Sequence, residues 1–226
     1  MDQLVEIKSK IQINPSRVGK KYFIKTFGCQ MNEHDSERIS GMFELDGMSK
    51  ASSEEFADIL FVNTCTIREN ADDKLYGTLG QLKQWKSERN NRRLLVGGCA
   101  AQKDKELVRE KAPWVDVVMG THNLTDVVNS LNRSEDWGPI TEIIEEIENL
   151  PTEAPSIRES EYSAWLTIQI GCNNSCTFCI VPSVRGHEIS RRPSDIVNEA
   201  NKLVQEGVKE ITLLGQNVNS YGRDLR

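Results

Sequence analysis

Three cysteines, Cys172, Cys176 and Cys179, stand as C-x-x-x-C-x-x-C in the run GCNNSCTFCIVP. Three thiolates packed this tightly can wrap around one small inorganic core, and iron–sulfur clusters are the usual object held by such runs. An all-cysteine cluster takes four ligands and this loop supplies three. One iron is then open to a substrate or cofactor, as a catalytic zinc keeps an open position. A zinc knuckle is the competing reading, but zinc motifs favour two C-x-x-C pairs and no fourth ligand lies nearby in the sequence. The other three cysteines, Cys29, Cys65 and Cys99, have no local spacing at all. Each instead ends an apolar run: KTFGC, FVNTC and VGGC. Free cysteines are often just small buried apolar residues; the same placement three times in succession argues for more than that.

The elements that must position these residues follow a repeating pattern. Lys21–Gly28 precedes a helix-like stretch Asn32–Leu45, Ile59–Cys65 precedes Ile67–Arg89, Arg93–Cys99 precedes Asp104–Ala112, and Val115–Gly120 precedes Asn123–Leu131. Short aliphatic strands alternating with amphipathic helices indicate βα units and a parallel sheet. The expected fold class is therefore α/β, with an N-terminal doubly wound domain over residues 19–133. In such a sheet the carboxyl ends of the strands share one edge, where ligands bind, so Cys29, Cys65 and Cys99 can converge without a spacing motif. Residues 134–161 turn acidic and carry Pro139, Pro151 and Pro155, which suits a linker or surface crossover. Within it, Thr141–Leu150 fits a strand or a short helix equally. A second βα series spans residues 162–226: strand Ala164–Ile170, the cysteine loop, a helix Ser194–Glu206 capped by Ser194 and stopped at Gly207, and strand Glu210–Gly215.

Composition excludes less than the motifs include. No run of eighteen apolar residues occurs, and Met1–Lys10 lacks the apolar core of a secretory signal. The expected setting is a reducing cytoplasm, where cysteines serve as ligands or nucleophiles rather than disulfides. The net charge of −6 gives no sign of nucleic acid, whose phosphates call for a basic patch, although an acidic total leaves room for a local one.

The cysteine loop resembles the signature of radical S-adenosylmethionine enzymes, including the aromatic Phe178 before its last cysteine. The whole chain is similar to the methylthiotransferase family: KTFGCQMNEHDSE at Lys25–Glu37, VNTCTIREN at Val62–Asn70, VGGCAAQ at Val96–Gln102, RGHEISRRP at Arg185–Pro193 and LLGQNVNSY at Leu213–Tyr221. It departs from the usual family pattern at Ser183-Val184, where a Tyr-Thr pair is commoner. GCQMNEHDSE and NTCTIREN look most like the branch that converts N6-isopentenyladenosine, next to the tRNA anticodon, to its 2-methylthio derivative. The branches acting on a ribosomal-protein aspartate and on threonylcarbamoyladenosine are the alternatives.

The resemblance implies a transferase with two [4Fe-4S] clusters. Cys29, Cys65 and Cys99 would hold an auxiliary cluster whose open iron carries the transferred sulfur. Cys172, Cys176 and Cys179 would hold the cluster that binds S-adenosylmethionine, at the end of the first strand of a (β/α) barrel, and reduces it to a 5′-deoxyadenosyl radical. S-adenosylmethionine would serve both as radical source and as methyl donor. The implied partners are tRNA, a flavodoxin- or ferredoxin-like electron donor and a sulfur source, with no membrane. An electron carrier or cluster store is the rival of another class, and two open cluster positions count against it.

Family members continue through further βα units and a small C-terminal β-barrel, whereas roughly 65 residues follow the linker here, against ~250 for a full βα barrel. The chain thus reads as C-terminally truncated. The expectation is that it is inactive on tRNA by itself, with a second part that is mobile, aggregation-prone, or held against the first domain or another chain. No catalytic residue beyond the cysteines is assigned. Arg185, His187, Arg191 and Arg192 suit RNA phosphates or the S-adenosylmethionine carboxylate as well as they suit a solvated loop. Gln216 and Asn217 suit cofactor binding or turn capping, His34 and His122 suit capping or packing, and Glu142–Glu148 suits a solvated face.

Overall fold

The computed structural model describes residues 13–66, 71–145 and 155–225. The first part is a six-stranded, wholly parallel sheet. In chain order it contains β1 (Lys21–Phe27), α1 (Gln30–Leu45), β2 (Ser49–Lys50), β3 (Ile59–Thr64), α2 (Ala71–Ser87) and β4 (Arg93–Gly98). There follow α3 (Cys99–Asp104), α4 (Leu107–Lys111), β5 (Val117–Met119), α5 (Val127–Trp137) and β6 (Ile140–Glu142). The strands lie in the order β2-β1-β3-β4-β5-β6. Strand order reverses between β1 and β3, so the switch point where such sheets bind ligands falls between the strands that lead into Cys29 and Cys65.

Both faces of this sheet are covered, which is why its strands read as continuous apolar runs rather than alternating ones. Leu60, Val62, Leu94, Val96 and Val118 face one way and pack with Leu75, Leu79, Leu82 and Val108 of α2 and α4. Their neighbours Ile59, Phe61, Leu95, Val117 and Met119 face the other way, against Ile39, Met42 and Phe43 of α1 and Val127, Val128 and Leu131 of α5.

The second part begins with β7 (Ser163–Thr167), β8 (Gln169–Ile170), α6 (Val181–Arg185), β9 (Ile189–Ser190), α7 (Pro193–Gln205) and β10 (Glu210–Leu214). β10 pairs with β7 in parallel over five residue pairs, and β8 pairs with β9 antiparallel. Helix α7 lies on the β7–β10 pair through Leu203, Ile196 and Ala200 against Ala164, Leu166 and Ile168. This β–α–β unit has the arrangement expected for the start of a (β/α) barrel.

The second part is held against the first, one of the expected alternatives. Ile170 and Leu214 form a buried cluster with Met31 of α1, against which Cys29 and Trp165 pack. The Thr121 hydroxyl donates to the Val184 carbonyl at 2.7 Å, and the Ile157 amide donates to the Glu37 carbonyl at 2.9 Å.

Several expected boundaries move. The helix expected over 104–112 shortens to Leu107–Lys111, and a separate helix, Cys99–Asp104, precedes it, because Lys105 takes φ 50°, which an α-helix cannot continue. Helix α5 runs past Arg133 to Trp137, and β6 then adds to the first sheet, so Glu142 is a sheet residue ion-paired to Arg133 at 2.5 Å rather than part of a solvated face. Of the expected helix Ile67–Arg89, residues 67–70 lie outside the described residues, as do 146–150 of the ambiguous Thr141–Leu150. The expected strand Ala164–Ile170 breaks at Ile168, whose amide donates to Leu214 and whose carbonyl accepts from Arg191. Ser194 does not cap α7; Pro193 opens the helix with Arg192 before it, since proline at the first turn forfeits no intrahelical bond. Gly207 does stop it, at φ 96°. Among the described residues no helix is long and apolar enough to cross a membrane.

Candidate functional site

Register decides whether the first three cysteines meet. Phe27 pairs with Thr64 and Thr64 with Gly98, and the Cys65 amide extends the ladder by donating to the Phe27 carbonyl at 2.8 Å. Cys65 and Cys99 therefore leave neighbouring strands at the same level, one strand spacing (~4.8 Å) apart, with Cys29 one residue further along the adjacent strand. All three emerge at the carboxyl edge of the sheet, where the switch point lies.

Two asparagines that the sequence reading passed over fix this edge. The Asn32 side-chain amide donates to Asn63 Oδ1 at 3.0 Å and to the Thr64 carbonyl at 3.2 Å. Asn63 in turn donates to the Asn32 carbonyl at 2.8 Å and to Ser36 Oγ at 2.9 Å. Asn32 Oδ1 also accepts from the Cys29 amide and thiol, each at 3.4 Å. The pair is buried and ties the Cys29 turn to the strand end before Cys65. A polar residue at the end of the otherwise apolar ILFVNT was the available signal, since buried amides are kept only when their hydrogen bonds are met. Glycines sit where side chains cannot: a Cβ at Gly28 would lie 2.5 Å from Asn32 Cγ, and one at Gly98, at φ 91°, would lie 2.5 Å from the Thr64 carbonyl oxygen.

The second triplet follows β8. Gly171 turns the chain at φ 73° against the backbone of Gly186 and His187, and the Cys172 amide donates to the Gly186 carbonyl at 3.2 Å. Asn173 Oδ1 accepts from the Glu188 amide at 3.0 Å. The loop is thus closed at its root, with Cys172 buried and Cys176 and Cys179 exposed. Phe178, between the last two cysteines, is 96% exposed.

Arg185, six residues past Cys179, joins the two sets. It is 4% exposed, and its Nη2 lies 2.8 Å from Asp35 Oδ2. Burial pushes the Cys99 thiol up, Arg185 pulls it down, and the nearby Cys65 pushes it up again. Burial likewise works against the Arg185 charge, but Asp35 and Cys99 outweigh it and the guanidinium is held more firmly protonated. His122 flanks the same spot, beside Gly186; burial and then Arg185 lower its pKa to about 4.

The solvated-loop reading of the basic stretch does not survive for Arg185 and Arg191. Arg191 is also buried, donating to the Thr167 carbonyl at 2.8 Å and paired with Glu199 at 2.6 Å. Each is ion-paired inside the protein, so neither is a solvated loop residue; Arg192 and His187 remain exposed. His34 packs, as expected, and meets Thr167. Asn217 caps a turn with its backbone carbonyl, accepting from Ser220, while Gln216 Oε1 is buried without a hydrogen-bond partner.

Among the described residues no three His, Cys, Asp or Glu side chains stand close enough to grip a single ion. A four-iron cube is bound at separate corners, so its thiolates stand further apart than ligands on one ion. Two thiols level on adjacent strand ends and a third one residue further on the next strand, with glycines before Cys29 and Cys99, fit such a group by donor chemistry, and so does the short loop of Cys172, Cys176 and Cys179.

Comparison with known proteins follows the same division. Residues 166–225 match the radical SAM superfamily and residues 21–120 match the uncharacterized protein family UPF0004. The tRNA-2-methylthio-N(6)-dimethylallyladenosine synthase of Corynebacterium jeikeium is 53% identical over 208 residues, 92% of this chain and 41% of that protein. The synthases of the same name from Nocardia farcinica and Tropheryma whipplei are 54% and 55% identical, over 90% and 89% of this chain and 41% and 43% of their own length. The chain is thus similar, part by part, to these two families and, along both parts, to these synthases. The chain spans about 40% of the length of these relatives. Its matched segments coincide with the two structural parts, and each contains one cysteine triplet.

Proposed function

We propose that this chain belongs to an enzyme that methylthiolates carbon 2 of N6-isopentenyladenosine next to the tRNA anticodon, with S-adenosylmethionine as radical source and methyl donor. The observation that carries the reading is the meeting of the two cysteine sets. Arg185, at the end of the second triplet's loop, is ion-paired at 2.8 Å to Asp35 on the helix that follows Cys29, and Cys29 packs with Ile170 and Leu214 at the strand ends of the second part. Carbon 2 of adenine bears a C–H bond with no acid–base handle. Replacing it needs both hydrogen removal and sulfur delivery, and two adjacent sites can share one bound base.

In this reading Cys29, Cys65 and Cys99 hold an auxiliary [4Fe-4S] cluster in the first domain, residues 19–133 with the extension to Glu142. Cys172, Cys176 and Cys179 hold a second cluster at the start of the radical-SAM domain, residues 162–226, across the connection 134–161. When bound, the second cluster supplies one electron to S-adenosylmethionine and the first holds sulfur for transfer. The chain's own residues do the positioning: buried Cys172 roots its loop, exposed Cys176 and Cys179 leave its outer side open, and Asn32 and Asn63 fix the first edge. The reaction calls for tRNA, a flavodoxin- or ferredoxin-like electron donor and a sulfur source, in a reducing cytoplasm.

Anaerobic reconstitution tests the ligand assignment: the chain should take up about eight irons as two four-iron clusters. Replacing Cys172, Cys176 and Cys179 by alanine should remove half. In a chain of the relatives' full length, Cys65→Ala should abolish methylthiolation of tRNA while S-adenosylmethionine is still cleaved, and Cys176→Ala should abolish both. Stoichiometric zinc without iron uptake, or thiolation surviving Cys65→Ala, would overturn the assignment.

A further inference from the structure

One buried pair of carboxamides stands behind all three cysteines of the first part. Asn32 and Asn63 are 0% and 1% exposed. Asn32 lies against the root of Cys29: its Cγ is 2.5 Å from where a Cβ at Gly28 would sit, and its Oδ1 accepts from the Cys29 amide at 3.4 Å. Its Nδ2 reaches the Thr64 carbonyl, the last one before Cys65, at 3.2 Å. Asn63 Oδ1, which accepts from Asn32 at 3.0 Å, fills the place where a side chain at Gly98, the residue before Cys99, would begin. The orientation of the Asn32 amide is not free. A backbone carbonyl only accepts and a backbone N–H only donates, so the oxygen must face Cys29 and the nitrogen must face Thr64. No side-chain atom of either asparagine lacks a hydrogen-bond partner. Apolar residues of the same shape would fill this space at little cost in stability. What they could not supply is direction: a fixed polar path from the first cysteine turn to the strand ends that carry the other two.

Resting on the reading that Cys29, Cys65 and Cys99 hold an iron–sulfur cluster, we propose that Asn32, locked by Asn63, is the positioning residue that sets the Cys29 sulfur relative to the other two. Cys65 and Cys99 leave neighbouring strands and are buried, so the ladder between β3 and β4 sets their spacing. Cys29 has no such support. The ladder of β1 with β3 ends at Phe27, and Cys29 lies beyond it, half-buried, in the turn that enters α1. The contact of Asn32 with the Cys29 amide is what ties that turn to β3. The Cys29 thiol also donates to Asn32 Oδ1 at 3.4 Å. A sulfur that binds metal has no proton to give, so the bond to the amide is the one that remains in the loaded site. Groups that stand behind metal ligands in this way orient them, and losing one costs roughly 10–100-fold in metal affinity.

The test uses the 226-residue chain with Cys172, Cys176 and Cys179 all replaced by alanine, a parent expected to hold about four irons. Iron retention against a chelator and the electron paramagnetic resonance spectrum of the reduced protein are measured in this parent and in three derivatives. Asn32→Ala removes the carboxamide. Asn32→Asp keeps its shape and the oxygen facing Cys29 but loses both donors, and it decides the matter if Asn32→Ala does not fold. Both should release iron roughly 10–100-fold more readily, and the iron that stays should give an altered spectrum. Asn123→Ala is the control. It removes another buried asparagine, after β5, whose Oδ1 accepts from the Gly120 and Ile144 amides at 3.2 and 3.1 Å, and it should keep the parent's iron and spectrum. In iron-free protein, iodoacetamide should modify Cys29 roughly fivefold faster in Asn32→Ala than in the parent, the factor that one hydrogen bond of ordinary net strength supplies, with Cys65 and Cys99 unchanged. The parent's iron retention and spectrum in Asn32→Asp would overturn the role. So would an equal loss in Asn123→Ala, which marks general destabilisation, or an unchanged rate at Cys29. A parent that takes up no iron overturns the cluster reading and this inference with it, whereas iron uptake indifferent to Asn32 overturns this inference alone.

Discussion

His34 Nδ1 lies 2.8 Å from Thr167 Oγ1, both groups buried, and this contact fastens α1 of the first sheet to β7 of the second part. Thr167→Val keeps the shape but removes the hydroxyl, leaving an imidazole nitrogen without a partner. An unsatisfied buried polar group costs ~1–3 kcal/mol. Urea denaturation of the cluster-free protein should show that loss, with the far-ultraviolet spectrum unchanged below the transition. Equal midpoints would mean that the contact contributes nothing to docking.

Stability should rise with pH over the range in which the buried histidines titrate. Burial, then Arg38 and Arg191, holds the pKa of His34 well below 6.5, and burial, then Arg185, holds that of His122 at about 4. The unfolded chain therefore binds more protons as pH falls below ~6.5, and stability is lost in that direction. Glu37 opposes them. Burial raises its pKa from 4.5 to about 7, against a weaker downward pull from a backbone hydrogen bond and Arg158. The folded state holds this proton where the unfolded state has released it, so Glu37 costs stability as pH climbs from 4.5 to 7. Glu37→Gln removes the opposing contribution, and the gain in urea midpoint between pH 5 and pH 6.5 should become steeper. An unchanged slope would contradict the burial assigned to Glu37.

The main strands were legible because β1, β3, β4 and β5 are apolar on both faces, and the cysteines were legible because each ends such a run. The edge strands β2 and β6, Ser-Lys and Ile-Thr-Glu, hold one apolar residue between them, so no apolar run marks them. Arg185 and Arg191 read as a charged loop because what buries them, Asp35 and Glu199, lies elsewhere in the sequence, and burial of a charge depends on partners that a local pattern cannot show. The Asn32–Asn63 pair was hidden for the same reason: each asparagine alone looks like turn chemistry, and only the strand register brings them together.

Gly41 should resist the substitution that normally helps a helix. In a helix interior, glycine to alanine gains ~1 kcal/mol. Here a Cβ would lie 2.5 Å from the Pro155 carbonyl carbon and 3.0 Å from the Ser156 amide nitrogen, where the connection crosses α1. The neighbouring Ile157 amide is bonded to Glu37 at 2.9 Å, so the crossing segment has little room to retreat. Gly41→Ala should therefore destabilise by roughly 1–3 kcal/mol, as overpacking does, and should expose the connection to protease. A stabilised variant would show that the segment yields freely.

Gly98 carries the sharpest consequence for the cysteine edge, because it combines a special backbone with crowding. At φ 91° it lies where residues with a side chain are strained. A Cβ there would also meet the Thr64 carbonyl oxygen at 2.5 Å and the Thr64 amide nitrogen at 2.9 Å. Those neighbours are the backbone of β3, fixed through Thr64 and Asn63 to Asn32, so they cannot swing aside as a flexible side chain would. Gly98→Ala must then push the end of β4 away from β3, and Cys99 moves with it while Cys65 stays. Iron uptake should fall from about eight per chain toward four, since only the Cys29, Cys65 and Cys99 set is disturbed. Gly19→Ala is the control: it too has positive φ, 81°, but nothing lies within 4 Å of the added carbon. It should show only the conformational cost, ~1–2 kcal/mol, with iron content intact. Full iron uptake by Gly98→Ala, or an equal loss in both variants, would break the link between strand-end packing and the first cysteine set.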